Sequence, residues 1–294
     1  MSSTLRSGPA NFQTDTRIDP GDRPGHYRCS LSGRWSTPLF PFGGVVSAIG
    51  LRAIMRELDH PTHQIRSATT VYSSAVAEGE LDIEIQPLRV GKRMSQLLAR
   101  VRNVGSDDAG HTTLAVLGEA REGFEFTAAS RPEAKPPEEC PPPEEPPSAG
   151  DRWQAPFFEQ IETRMVLGHP PWKDDWSGGR AEYIRWMRFL VPPFLESGEL
   201  DPLALVALTD TMPPAVTQYL GPGAPMFFAP SCDLTVHVFG STRGEWVLVQ
   251  VTCSRAGDGY ASARARIWDR QGALLVEATQ LMYLRLGGPG DLAP

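Results

Sequence analysis

The sequence predicts an α+β protein in which one unit, a helix followed by four strands, is used twice. Three observations carry this. Residues 64–121 and 231–285 echo one another: Thr70-Val71-Tyr72 matches Thr235-Val236-His237 and Gly79-Glu80 matches Gly244-Glu245 at an offset of 165, and Gly91 matches Gly257 at 166. Each block follows a segment that reads as one helix, Gly44–Leu58 and Pro202–Val216. A chain of 294 residues is long enough for two domains, each with its own core. Two copies of such a unit can pack as a pseudo-dimer with a site between non-identical halves. Only one copy then needs to keep the chemistry.

Residues 1–22 are polar and aperiodic and read as an N-terminal tail. The first domain spans 23–126. His26–Leu31 is its first strand. Phe42-Gly43-Gly44 opens a helix whose apolar positions, Val45, Val46, Ile49, Ile54, Met55 and Leu58, suit a largely buried element. His60-Pro61 ends it, because proline lacks the amide proton and disfavours helix in the residue before it. Leu81, Ile83 and Ile85 then alternate with Asp82, Glu84 and Gln86, which gives a strand with one buried and one wet face. Val90-Gly91-Lys92-Arg93 turns the chain into Met94–Asn103; it is a solvated turn or a place for phosphates. The Asp- and Gly-containing stretch Gly105–Gly110 is a second turn, and Thr112–Arg121 is the last strand of this half.

Residues 127–150 mark the boundary between the halves. Eight of these 24 residues are proline and five are glutamate, so the tract is expected to be an extended or disordered linker with nothing to bury. The second domain spans 151–286 and ends in a short tail, 287–294. Its Trp-rich opening, 151–180, carries no clear periodicity. Tyr183–Leu190 reads as a strand. Asp201-Pro202 is a helix start, an N-cap followed by proline at the first helical position. Pro213-Pro214 must end or kink that helix. Four strands follow, 231–239, 245–254, 259–269 and 273–285, the last two joined by a turn at Asp269-Arg270-Gln271-Gly272.

A net charge of −7 and a pI near 5.4 argue against nucleic acid as a partner, because such proteins carry a basic face. The four cysteines form no CxxC or other metal-ligand spacing, so no metal is expected; Cys29, Cys232 and Cys253 sit in strand-like segments as small buried thiols. With no leader-like segment and no apolar run of membrane-spanning length, the expectation is a soluble cytoplasmic protein without a membrane partner.

The chain lacks the GxSxG elbow, HExxH and GxxxxGK[ST]. What remains is polar residues in apolar surroundings. Asp210 lies in ALVALTDTMPPAV, where a carboxylate is costly unless hydrogen-bonded or functional. Gln280 interrupts LLVEATQLMYLRL, and Ser231 opens PSCDLTVHVF. Each could also be structural: a local cap, a strand-start hydroxyl, a buried amide.

Together with FPFGGVVSAIGLRAI, the strand at Trp246, IWDRQGALLVEATQ and the terminal LMYLR, these segments resemble in order and spacing the bacterial acyl-CoA thioesterase II family and its peroxisomal relatives. The resemblance implies a double hotdog: two repeats, each a long central helix wrapped by an antiparallel β-sheet. It implies a catalytic set of Asp210, Ser231 and Gln280. It also implies that Phe42, Gly43 and Gly44 meet the substrate and its oxyanion. The substrate would be an acyl-CoA or carrier-bound acyl thioester, coenzyme A being part of it and no separate cofactor being needed. Family members associate further, so a homo-oligomer is expected. The proline-rich linker and the Trp-rich stretch depart from the family pattern and leave the substrate open. Asp210 can accept the proton of an attacking water, Ser231 and Gln280 can orient that water, and amides at a helix N-terminus suit an oxyanion. The competing readings are another reaction on a bound thioester, such as dehydration or a tailoring step, and a non-catalytic acyl-binding protein.

Overall fold

The computed structural model describes residues 8–144 and 155–287. Parts of the predicted tails and of the Pro/Glu tract, residues 1–7, 145–154 and 288–294, lie outside the described residues.

In chain order the first half holds α1 (Phe12–Asp15), β1 (Asp19–Pro20), β2 (His26–Leu31), α2 (Gly43–Leu58), β3 (Gln64–Tyr72), β4 (Gly79–Arg89), β5 (Met94–Asn103) and β6 (His111–Gly118). The second holds β7 (Ile161–Leu167), β8 (Glu182–Phe189), α3 (Pro202–Thr209), α4 (Pro214–Leu220), β9 (Phe227–Phe228), β10 (Asp233–Val238), β11 (Val247–Gly257), β12 (Tyr260–Trp268), β13 (Leu274–Tyr283) and β14 (Arg285–Leu286). Twelve strands form one antiparallel sheet in the order β1-β2-β4-β5-β6-β3-β10-β13-β12-β11-β8-β7. Outward from the β3–β10 seam, the order β3-β6-β5-β4-β2 on one side is repeated by β10-β13-β12-β11-β8 on the other. Inward-facing side chains of both halves and the buried helices make one continuous core.

For β3, β4 and β5 against β10, β11 and β12 the offset between halves is 166, not 165. Leu81, Ile83 and Ile85 point inward, as do Val247, Val249 and Val251, and 247 − 81 = 166. At the seam Thr69 lies opposite Thr235, their hydroxyls 3.0 Å apart on the outer face, whereas Thr70 points inward to Thr113. In these strands an odd offset would have exchanged the two faces. The apparent match of Thr70-Val71-Tyr72 to Thr235-Val236-His237 and that of Gly79-Glu80 to Gly244-Glu245 are therefore each one residue out. Gly91 and Gly257 are in register.

Three other expectations change. The second helix is not one long element. α3 stops at Thr209, Asp210 is its C-cap (φ −75, ψ 13), and α4 starts at Pro214. A helix continued through Pro213 and Pro214 would drive their rings against the carbonyls of Thr209 and Asp210, four residues back. Residues 8–20 are not a loose tail: Phe12 is fully buried, with ring centroids 5.6 Å from Trp35 and 5.5 Å from Phe189.

Nor does the described part of the Pro/Glu tract hang free. Residues 127–144 run over the outer face of β8, β11 and β12, where Cys140 joins Ile184, Trp186, Trp246, Leu248 and Trp268 in a second apolar cluster. Trp186 Nε1 donates to Lys135 O at 2.8 Å, Met165 N donates to Pro141 O at 2.8 Å, and Arg270 grips Glu138 with both terminal nitrogens at 2.9 Å. Prolines have already lost much of their backbone freedom, so ordering such a segment costs little. The tryptophans supply the surface it covers. In the Trp-rich opening, β7 from Ile161 to Leu167 forms the sheet edge.

Among the described residues no helix is long and apolar enough to cross a membrane, no cluster of His, Cys, Asp and Glu could hold a metal ion, and all four cysteines are free thiols.

Candidate active site

α2 and α3 lie side by side in the core, and α3 is buried along its length. Their close approach needs glycine at 44: a Cβ there would sit 2.7 Å from Ala207 O and 2.9 Å from Asp210 Cβ. The contact sets the first turn of α2 against the last residue of α3. The proline break then leaves the Asp210 carboxylate at a helix end, facing the N-terminus of α2, whose first amides have no acceptor within the helix.

Asp210 is 6% exposed and is held from three elements. Its Oδ2 accepts the Gly44 amide at 2.8 Å. Its Oδ1 accepts the Ser231 hydroxyl at 3.0 Å and the Gln280 amide Nε2. Gln280 Nε2 also lies 2.7 Å from Ser231 Oγ, closing a triangle. Ser231 is fixed just before β10 by its bridge to Met282. Gln280 is the polar member of an inward file on β13 that otherwise presents Val276, Ala278 and Met282, and it is 2% exposed. Its Oε1 is buried without a partner among the described residues, an acceptor able to take a hydrogen bond from water. Burial pushes the Asp210 carboxyl up from 3.8 to about 6, against the hydrogen bonds from Gln280, Gly44 and Ser231, which pull it down.

Every residue singled out in the sequence reaches this place. Phe42 is the N-cap of α2 and stacks on Phe157 of the second half, centroids 3.9 Å apart and planes within 12°. Gly43 lies against Asp210 and Tyr72; a Cβ on it would be 2.9 Å from Asp210 Oδ2 and 3.0 Å from Tyr72 Cε1. One expectation changes: the Gly44 amide is committed to Asp210 and is not available to an oxyanion.

Tyr72, Ser47 and His111 belong to the neighbourhood and carried no sequence signal. Tyr72 O–H lies 3.0 Å from Ser47 Oγ, and its ring meets His111 edge-on at 4.7 Å. Burial, then the Asp210 charge, hold the Tyr72 hydroxyl well above 10, and burial lowers His111 to about 4, so both are neutral at pH 7. They wall the site without adding charge to it.

The corresponding place in the first half lacks this chemistry. β13 follows β6 at an offset of 165, so Gln280 corresponds to Ala115, which is fully buried. Where the start of α3 meets α2, Arg52 Nη2 is 2.7 Å from Asp201 Oδ2 and 3.0 Å from Thr16 Oγ1. An ion pair closes that corner, while Asp210 has only neutral donors around it.

Residues 31–118 match the family model of the acyl-CoA thioesterase N-terminal domain, and residues 137–284 that of the acyl-CoA thioesterase C-terminal domain. The second match begins inside the Pro/Glu tract. Among solved structures, a conserved protein with a hot dog fold from Alicyclobacillus acidocaldarius superposes with a TM-score of 0.78 and 23% identity, over 94% of this chain and 98% of its own. The acyl-CoA thioesterase II TesB2 of Mycobacterium marinum does so at 0.69 and 20%, over 94% and 98%. The tesB protein of Mycobacterium avium subs paratuberculosis reaches 0.70 and 16%, over 93% and 97%. At these identities the likeness is one of fold. No curated protein matches the chain.

Proposed function

We propose that this chain, which belongs to the acyl-CoA thioesterase family, hydrolyses acyl thioesters of coenzyme A at the Asp210 site. The observation that carries the reading is a lone carboxylate buried between the two halves, gripped by neutral donors and raised to about 6. Such a group is ionised at pH 7 yet basic enough to take a proton in the transition state. We read the whole as a double hotdog whose second helix is broken at the catalytic residue.

In the proposed reaction a water held between Asp210 and Gln280 attacks the thioester carbonyl carbon as its proton passes to Asp210. The carbonyl electrons move to oxygen, and the oxyanion meets the Gly43 amide at the positive end of α2. Collapse expels the coenzyme A thiolate, which takes up the proton, and leaves the free acid. Ser231 and Gln280 fix the carboxylate and the water, so that attack needs little further ordering. The glycines let the thioester come close to backbone.

Release of free thiol from a panel of acyl-CoAs by the purified protein tests this. Turnover that is lost in Asp210→Asn supports it. Tight binding without thiol release would favour an acyl-binding role, and consumption of thioester without thiol would favour another reaction on the same fold.

A further inference from the structure

Arg185 is a charge that neither the fold nor the proposed hydrolysis uses. It sits on β8, where Ile184 and Trp186 point to the outer cluster under the proline-rich strap, while Met187 and Phe189 point to the inner core. Arg185 shares the inner face and is 6% exposed. Among the described residues its Nε and Nη2 are buried with no hydrogen-bond partner. Among the described arginines, Arg52, Arg66 and Arg131 each have one such nitrogen and Arg185 has two.

Those two nitrogens are the ones that matter. Nε–H and the Nη2–H beside it point the same way and form the side-on fork that takes both oxygens of a carboxylate. Two aromatic rings already neighbour the guanidinium: its carbon lies 5.2 Å over the Phe158 ring and 5.1 Å over the Tyr183 ring. Aromatic faces offset part of the cost of burying a cation, but they leave the fork edge unsatisfied. Burial lowers the Arg185 pKa, and the Tyr183 side chain, through charge and hydrogen bonding, supports the cation.

The position relates the fork to the reacting centre. Phe158 meets Phe42 edge-on with centroids 6.3 Å apart, and Phe42 directly precedes Gly43. From the other side, α4 begins four residues after Asp210 and packs on β8. Phe42 and Phe158 thus form an apolar wall with the proposed thioester site at one end and the Arg185 guanidinium against the other. The nucleotide of coenzyme A is a large polar group that stays in water, so its phosphates do not suit a fork this deeply buried. The acyl end of the substrate does.

We propose that Arg185 binds a carboxylate at the far end of the acyl chain, and that the preferred substrates are coenzyme A thioesters of short dicarboxylic acids. This rests on the thioesterase reading above and adds its substrate class.

The test compares chain-matched pairs on the intact protein: glutaryl-CoA against pentanoyl-CoA, adipyl-CoA against hexanoyl-CoA, and suberyl-CoA against octanoyl-CoA. The parent should favour at least one carboxylated member by roughly ten- to a hundredfold in kcat/KM, the range of a hydrogen-bonded charge pair. In Arg185→Met that ratio should fall to one or below. Arg185→Lys keeps the charge but loses the fork, and should recover only part of the preference. A parent that prefers every plain acyl chain overturns the proposal and leaves the thioesterase reading standing. So does an Arg185→Met variant whose ratio is unchanged. If no acyl-CoA is cleaved, the thioesterase reading fails, and calorimetric binding of adipyl-CoA against hexanoyl-CoA to the parent decides the role of Arg185 instead. Equal affinities there would overturn it.

Discussion

Replacing Asp210 by asparagine should leave the folded protein at least as stable near neutral pH while it abolishes most activity. Burial raises the Asp210 carboxyl from 3.8 to about 6. Well below pH 3.8 the group is neutral in both folded and unfolded chains and adds no penalty. As pH rises the unfolded chain ionises first, and the folded state loses stability until the pH passes about 6. The rise from 3.8 to about 6 corresponds to about 3 kcal/mol. Asparagine does not ionise and escapes this loss. It has only one oxygen, which can face Ser231 and Gln280, so its NH2 is turned to the Gly44 amide, whose acceptor at 2.8 Å is lost. An unsatisfied buried donor costs roughly 1–3 kcal/mol at any pH. The net at pH 8 is about 0–2 kcal/mol in favour of asparagine, whereas at pH 4 the variant is the weaker protein. Thermal melts of both proteins from pH 4 to pH 8 read this directly: the Tm of the variant minus that of the parent should climb by several degrees across the range, at about 2–4 °C per kcal/mol. A difference that is flat, or that falls as pH rises, would refute the reasoning. Asp210 would then be a carboxylate that the fold holds ionised for its own stability.

Other outcomes follow from the same geometry. Gly44→Ala should destabilise the protein by roughly 1–3 kcal/mol or displace Asp210, because the added methyl meets the Ala207 carbonyl and the Asp210 Cβ rather than flexible side-chain ends; thermal melts and thiol release both report it. Ser231→Ala and Gln280→Ala should each lower kcat by less than Asp210→Asn does. Combined with Asp210→Asn they should add little further loss, because all three act on one water; a double-mutant cycle in kcat measures this. In the parent, residues 127–144 should resist limited proteolysis, and Trp186→Ala should expose them by removing both apolar cover and the bond to Lys135 O.

The strand pattern was legible because one face of each strand is buried and alternation records it; Leu81, Ile83 and Ile85 are inward as expected. The polar residues of the candidate site were legible for the same reason. Gln280 and Asp210 break apolar files, and a buried polar group needs a reason to be there. Register was not legible to the residue. Short matches such as Thr-Val repeat by chance, and the inward faces of β4 and β11, with the pairing of Thr69 and Thr235 at the seam, set the offset of those strands at 166. The strap was missed because its composition says what it cannot do alone; the tryptophans that receive it lie between residues 186 and 268. Arg185 reads as an ordinary strand cation, and nothing local to it reveals that Phe158 and Tyr183 close over it. Tyr72 and His111 likewise become neighbours of Asp210 only through folding.

The central claim is that Asp210 accepts the proton of the attacking water. Thiol release from an acyl-CoA that the parent cleaves, followed as kcat/KM against pH for the parent and for folded Asp210→Asn, tests it most directly. The parent rate should rise with pH through about 6 and level off above, as the carboxyl ionises. The variant should be roughly 10²–10⁴-fold slower in kcat and lack that inflection. A folded Asp210→Asn protein that releases thiol at the parent rate, with the same rise near pH 6, would contradict the account.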